Sequence, residues 1–457
     1  MKKIASFLIR NNIIEHILFA VLGLFAILLF EERLLADSSY YIFRVINNES
    51  FWVEHNRFIL VFSQILPLIG VKLGFDLKTV LYLYSIGHVV FFYIIFLVTR
   101  YYYKSKEAGV FLLLLQTMGI MSGFFVPMFE LYYCAGLLVL FSTILYYSNK
   151  KIDIAILIVL ALLILTGHPY TSILLVLILV LHAIQYKNEY LWSYAVFLFI
   201  IIVVFVFKKY TASEYEQGKA NAFISNLFNA DYNFQYFKLL SGFMFRYYKE
   251  LLFMELITII YLLFSKNYLK LTLVVLAFIG TLVMVNISYF GFGHSRYQEQ
   301  VYFSLSFVVA YPFVIYLVKN KKLGFMISFL TLSYIIIIIR LFVIWGDRGY
   351  YTARVAQIKD NISTVRINEY SKFIINQDSL TYNPNWSYPI ETLLMSSYDN
   401  GSSITICTQE DMDYKDNKTE IRPSQYMFRR WEIYELSRLN SNYFKLDNGD
   451  YIKIIAK

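Results

Sequence analysis

The chain has 457 residues, 58% hydrophobic and 16% charged, with a formal net charge of +9. Ordinary soluble domains carry about 25% charged residues, so a single soluble core is excluded. The basic excess excludes a nucleic-acid partner as well, because Lys and Arg sit in short clusters beside apolar blocks, where they set membrane topology.

Met1 to Phe30 starts basic like a signal peptide, but its apolar run lacks a small-residue cleavage site and is read as a retained first helix. Apolar runs of about 17 to 25 residues, the length that crosses a bilayer, are expected near 13–31, 79–99, 108–126, 131–147, 152–166, 170–186, 190–207, 251–265, 269–288, 301–318 and 323–345. The fold class expected is an all-α polytopic membrane protein of about eleven transmembrane helices. Residues 347–457 turn to Asp, Asn, Ser and Tyr, end in alternating runs such as Tyr451 to Ile455, and read as a small C-terminal soluble α+β domain behind a transmembrane domain of residues 1–346.

The clusters Lys2, Lys3 and Arg10; Arg100, Lys104 and Lys106; Lys150 and Lys151; Lys187; Lys266 and Lys270; and Lys319, Lys321 and Lys322 all fall on one side of this map. The positive-inside rule makes that side cytoplasmic, with the N-terminus inside and the C-terminal domain extracytoplasmic. This requires Phe58 to Leu73 to be re-entrant or interfacial, in keeping with Pro67, Gly70 and Lys72 interrupting it. The outer loops are then 32–78 and 208–250; the second, mixed aromatic and polar, is expected as short helices on the membrane surface, with Lys208 and Lys209 as exceptions to the charge rule. Abundant Ile, Lys, Asn, Tyr and Phe fit AT-rich coding and a bacterial inner membrane. Cys134 and Cys407 have no CxxC or metal-ligand spacing around them.

Four clusters of ionisable groups fall at the outer face. The first, residues 34–57, holds Asp37 just after the first span and His55 and Arg57 before the re-entrant segment; Asp37 is either a helix cap or an acid able to take a proton from a hydroxyl. In the second, Phe125 to Tyr133, Glu130 is either a solvated helix N-terminal charge or a second acid facing Asp37. The third, Thr166 to Thr171, offers His168 as a sugar or phosphate ligand or as a cap. The fourth, GFGHSRYQEQ at 291–300, supplies His294, Arg296 and Tyr297; the guanidinium fork suits phosphate oxygens or interfacial anchoring. Arg340, near the outer end of the last span, needs an acid, a phosphate or an aqueous pocket. Zinc, haem, nucleophile-elbow and phosphate-loop spacings are absent from the sequence, so an activated substrate would come attached to a lipid.

In their order, these motifs resemble the GT-C superfamily of membrane glycosyltransferases, which includes protein O-mannosyltransferases and the transferase that adds aminoarabinose to lipid A. The resemblance covers residues 10–345: Asp37 with Tyr40 and Tyr41 after the first span, His55-Asn56-Arg57 before Phe58 without the family's prolines, Pro127 to Tyr133 around Glu130, and Arg296-Tyr297 before a span. The family's acidic pair is reduced here to Asp37 followed by Ser38. The resemblance implies transfer of a hexose or pentose from a polyprenyl-phosphate-linked donor to a glycan, lipid or protein acceptor at the extracytoplasmic face, in cell-envelope polysaccharide or glycolipid synthesis. It further implies Asp37 as general base, Glu130 positioning a substrate, Arg296 and His294 on the donor phosphate, and His55, Arg57, His168, Tyr297 and Arg340 as further substrate-binding candidates. No cofactor is required by the motifs, and a divalent metal stays open. The competing readings are a transporter or flippase, or a polymerase, of lipid-linked oligosaccharides.

Overall fold

The computed structural model describes residues 12–147, 151–186, 191–291, 296–319, 322–367, 370–376, 380, 386–400, 402–414 and 421–454. Helices dominate: α1 (Ile13–Leu28), α2 (Asp37–Asn48), α3 (Val61–Lys72), α4 (Leu77–Leu97), α5 (Ala108–Thr117), α6 (Glu130–Tyr147), α7 (Lys151–Leu165), α8 (Tyr170–Tyr186), α9 (Leu191–Tyr210), α10 (Glu214–Asn229), α11 (Phe234–Tyr247), α12 (Lys249–Phe264), α13 (Tyr268–Ser288), α14 (Arg296–Phe313) and α15 (Leu323–Val365). The chain is built as a helical membrane protein. Its apolar helices turn large side chains outward, as α9 does with Phe199, Phe205 and Phe207, a surface that suits lipid and not water.

Among the described residues, six helices are long and apolar enough to cross a membrane: Leu77–Tyr102, Glu130–Tyr147, Trp192–Tyr210, Tyr268–Ser288, Tyr297–Val318 and Gly324–Val365. This corrects the expected eleven. The other apolar segments form shorter helices; α1, with 16 residues, spans roughly 24 Å at 1.5 Å per residue, short of a hydrocarbon core of about 30 Å.

The expected span 108–126 is broken outright. Helix α5 stops at Thr117, Gly119 takes φ +74°, and residues Ser122–Phe125 form a 3₁₀ turn. Irregular backbone inside a bundle must be satisfied by protein groups. Here Arg340 donates to the carbonyls of Thr117 and Ile120 at 3.1 and 2.8 Å, and Glu299 accepts from the amides of Met121, Ser122 and Gly123 at 2.5, 3.1 and 2.8 Å.

Residues 58–72 fold as a 3₁₀ turn and the 12-residue helix α3, which turns at Gly74 (φ +72°) and packs back along α4. Loop 208–250 folds into α10 and α11, with Phe228, Phe234 and Phe245 strongly exposed.

Helix α15 runs unbroken across position 346 and reaches the C-terminal unit. There β1 (Lys372–Ile375), β2 (Thr405–Thr408) and β5 (Ile452–Lys453) form a parallel sheet of order β2-β1-β5, helix α16 (Tyr388–Asn400) connects β1 to β2, and β3 (Gln425–Arg429) pairs antiparallel with β4 (Glu432–Glu435). Phe373, Ile406, Leu393 and Phe428 bury into the same apolar core as the helical bundle. The tail therefore packs directly on the bundle.

Candidate active site

Asp37 and Glu130 each open a helix, α2 and α6, where unpaired backbone amides and the helix dipole favour a carboxylate. Tyr297, in the first turn of α14, donates to Asp37 Oδ2 at 2.9 Å. The two oxygens of the buried Glu130 are separately engaged, Oε1 by Arg57 Nη1 at 2.5 Å and Oε2 by Gln300 Nε2 at 3.2 Å.

Arg57 links this acid to loop 208–250, its Nη2 lying 3.9 Å from Glu216 Oε1. Glu216 belongs to a capping box in which Ser213 opens α10, and the same Ser213 hydroxyl meets His55 Nδ1 at 2.9 Å. His55 also stacks on Tyr215, with ring centroids 5.0 Å apart. The start of α10 is thereby fastened over the segment 55–57.

Burial pulls the Arg57 guanidinium down, but Glu130, Tyr41, Glu216 and Tyr215 outweigh it and hold it above its ordinary value. Burial raises the Tyr215 phenol, with Asp37, Glu130 and Glu216 adding to the rise and Arg57 opposing it. Tyr289 is raised by burial and then by Tyr215, Asp37 and Glu130. Both candidate acids therefore act on the same two phenols. Tyr41 is raised by burial and by Glu54, a carboxylate that also accepts from Tyr40 and from Trp52 Nε1 at 3.1 Å.

His168 sits between α7 and α8, stacked on Tyr170 at 5.2 Å with an interplanar angle of 8°. Burial pushes its imidazole down to about 4, opposed by Glu130 and reinforced by Arg57 and Lys208. The ring is neutral at physiological pH, able to donate from one nitrogen and accept at the other. Lys208, at the end of α9, donates to the Gly167 carbonyl at 2.7 Å.

Asp37, Glu130, Arg57, His55, His168 and Tyr297 thus belong to one connected region. Arg340 lies apart from it: its donors go to the Thr117 and Ile120 carbonyls and toward Glu250 Oε2 at 3.9 Å, an acidic partner of the kind the sequence called for. Arg296 opens α14 beside Tyr297, but its side chain, like all of His294, lies outside the described residues.

Sequence reading missed Glu54, Lys208, Tyr215, Glu216, Tyr289 and Gln300. One signal was present, since Lys208 is an exception to the expected charge rule. Among the described residues no three His, Cys, Asp or Glu side chains converge as a metal site.

The arrangement offers two carboxylates with different partners, a phenol on one and a guanidinium on the other, flanked by a cation and a neutral imidazole. Such environments separate the roles of paired acids, one poised to take a proton and the other fixed as a charge. No protein-family model, curated protein or solved structure matches the chain.

Proposed function

We propose that the chain is a membrane glycosyltransferase of the GT-C kind, moving a sugar from a polyprenyl-phosphate-linked donor to an acceptor hydroxyl at the extracytoplasmic face of a bacterial inner membrane. The observation that carries this reading is that Tyr297 and Gln300, one turn apart on α14, donate to Asp37 and to Glu130 at 2.9 and 3.2 Å, with Arg57 on the second acid at 2.5 Å.

In the proposed reaction Asp37 takes the acceptor proton as the acceptor oxygen bonds to the anomeric carbon. The bond from that carbon to the donor phosphate oxygen breaks, and the phosphate leaves on the polyprenyl chain with its electron pair. Attack opposite the leaving group inverts the anomeric centre. Glu130, fixed by Arg57 and Gln300, positions a substrate, while His168 offers a neutral hydrogen-bonding group to a sugar hydroxyl. Arg296 and His294 adjoin Tyr297 in sequence and are assigned to the donor phosphate.

A transporter or flippase of lipid-linked sugars is the second reading. It is favoured by Glu255, a buried carboxylate inside the apolar helix α12 whose two oxygens have no hydrogen-bond partner among the described residues. Mass spectrometry of lipid-linked sugars and envelope glycans, with and without this gene, separates the two. Loss of a single sugar from a glycan, with its lipid-linked donor accumulating, supports transfer; disappearance of whole polymers supports transport or polymerisation.

A further inference from the structure

We infer that Glu391, in the C-terminal unit, is a positioning residue for Asp37; this rests on the reading of Asp37 as the base that accepts the acceptor proton. The residue before Asp37 is the point of contact. Ala36 has φ +53° and ψ −121°, a conformation that glycine adopts freely and that a Cβ opposes. Such a conformation persists only where surrounding groups enforce it.

Glu391 supplies that enforcement. Its Oε1 accepts the Ala36 amide at 2.8 Å and the Ser387 hydroxyl at 2.6 Å. Its Oε2 takes two bonds from Arg354, Nε at 3.0 Å and Nη2 at 2.7 Å, and both side chains are essentially inaccessible to solvent. A buried carboxylate held by a guanidinium on one oxygen has little freedom to move, so the amide bonded to the other oxygen is fixed too.

The Ala36 carbonyl accepts from Ser39 Oγ at 2.7 Å and from the Tyr40 amide at 3.1 Å, starting α2. The peptide thus sets the direction from which Asp37 enters its helix.

The grip extends along the same segment. Glu31 meets Lys359 at 2.6 Å, Arg44 meets Glu432 at 3.3 Å, and Asn47 donates to the Arg438 carbonyl at 2.9 Å. The C-terminal unit therefore acts as a clamp on the acid-bearing helix, which gives the tail a role in the reaction without contact with substrate.

The test uses the full-length chain carrying E391D, which keeps the charge for Arg354 but is one methylene too short to hold the Ala36 amide. Hydrogen exchange of residues 33–44 in the detergent-purified protein is expected to speed up tenfold or more. In cells lacking the gene, E391D should leave the lipid-linked sugar accumulated where the wild-type chain clears it. Adding A36G, which removes the cost of the positive φ, should restore both readouts. A merely structural role for Glu391 predicts no such rescue.

Wild-type exchange in E391D, or no recovery in E391D/A36G, overturns the inference. Should E391D fail to fold, E391M/R354M removes both buried charges at similar volume and is judged by the same two outcomes. The exchange arm stands independently of the reaction: if D37N clears the lipid-linked sugar like the wild type, the assignment of Asp37 fails while exchange still decides the clamp.

Discussion

The Tyr297 hydroxyl donates a hydrogen bond to Asp37 Oδ2 across 260 residues of sequence, at 2.9 Å, joining the first turn of α14 to the first turn of α2. A hydrogen bond to a charged group contributes about 1.5 to 3 kcal/mol. Y297F is expected to lower transfer about tenfold or more while the protein still folds, and D37N to abolish it. Both are measured as clearance of lipid-linked sugar by membranes carrying the variant. Wild-type clearance by D37N sinks the assignment of Asp37 as base.

Arg57 and Glu130 form a largely buried ion pair, and Arg57 also reaches across to Glu216. Removing one partner of a buried pair strands the other, at a cost of about 3 to 5 kcal/mol. R57A should therefore lower both the thermal midpoint and the transfer rate. R57K keeps a charge but lacks the fork that spans Glu130 and Glu216, and should retain most stability while losing most transfer. If R57K is as active as the wild-type chain, two-point engagement by Arg57 is not needed.

The parts of this site legible in the sequence are those governed by side of membrane. Charge clusters between apolar runs led to the expectation that Asp37, Glu130, His168 and Tyr297 share one face, each beside an expected span, and the structure brings the four into one region. The pairing itself was illegible. Arg57 and Glu130 are 73 residues apart, and no local periodicity relates them. Glu216 lies in loop 208–250 with no motif around it to single it out; only tertiary packing brings it to Arg57. The span count failed for a related reason. Residues 108–126 are apolar enough for a helix, but Gly119 and the distant Arg340 and Glu299 favour a satisfied break in its middle. Hydropathy registers apolar length, and long-range polar groups decide where the helix ends.

His168 gives a pH dependence with a definite sign. Unfolded, the ring takes a proton near its ordinary 6.5; folded, burial delays that to about 4. Between those values the unfolded chain binds more protons, so stability is fully present above pH 6.5 and is lost as pH falls toward 4. The ring is only partly buried, so the effect is at most about 3 kcal/mol. H168Q should flatten the fall in thermal midpoint between pH 7 and pH 4.5 relative to the wild-type chain. An identical fall in both proteins would assign the pH dependence to other groups.

Glu299 holds the break that lets α6 begin where it does. Three backbone amides, from Met121, Ser122 and Gly123, converge on its buried carboxylate, and Gly123 also lies against the Tyr132 hydroxyl. E299Q replaces one acceptor oxygen with an NH₂ group that must face a backbone donor, costing about 1 to 3 kcal/mol for each amide left unpaired. Faster hydrogen exchange is expected in residues 117–125, together with reduced transfer, because Glu130 opens the helix that follows this turn. R340M removes the carbonyl half of the same support and should speed exchange in the same peptides. The two effects should not add, since both substitutions release one turn. Wild-type exchange in E299Q would mean that the turn holds its shape without the carboxylate.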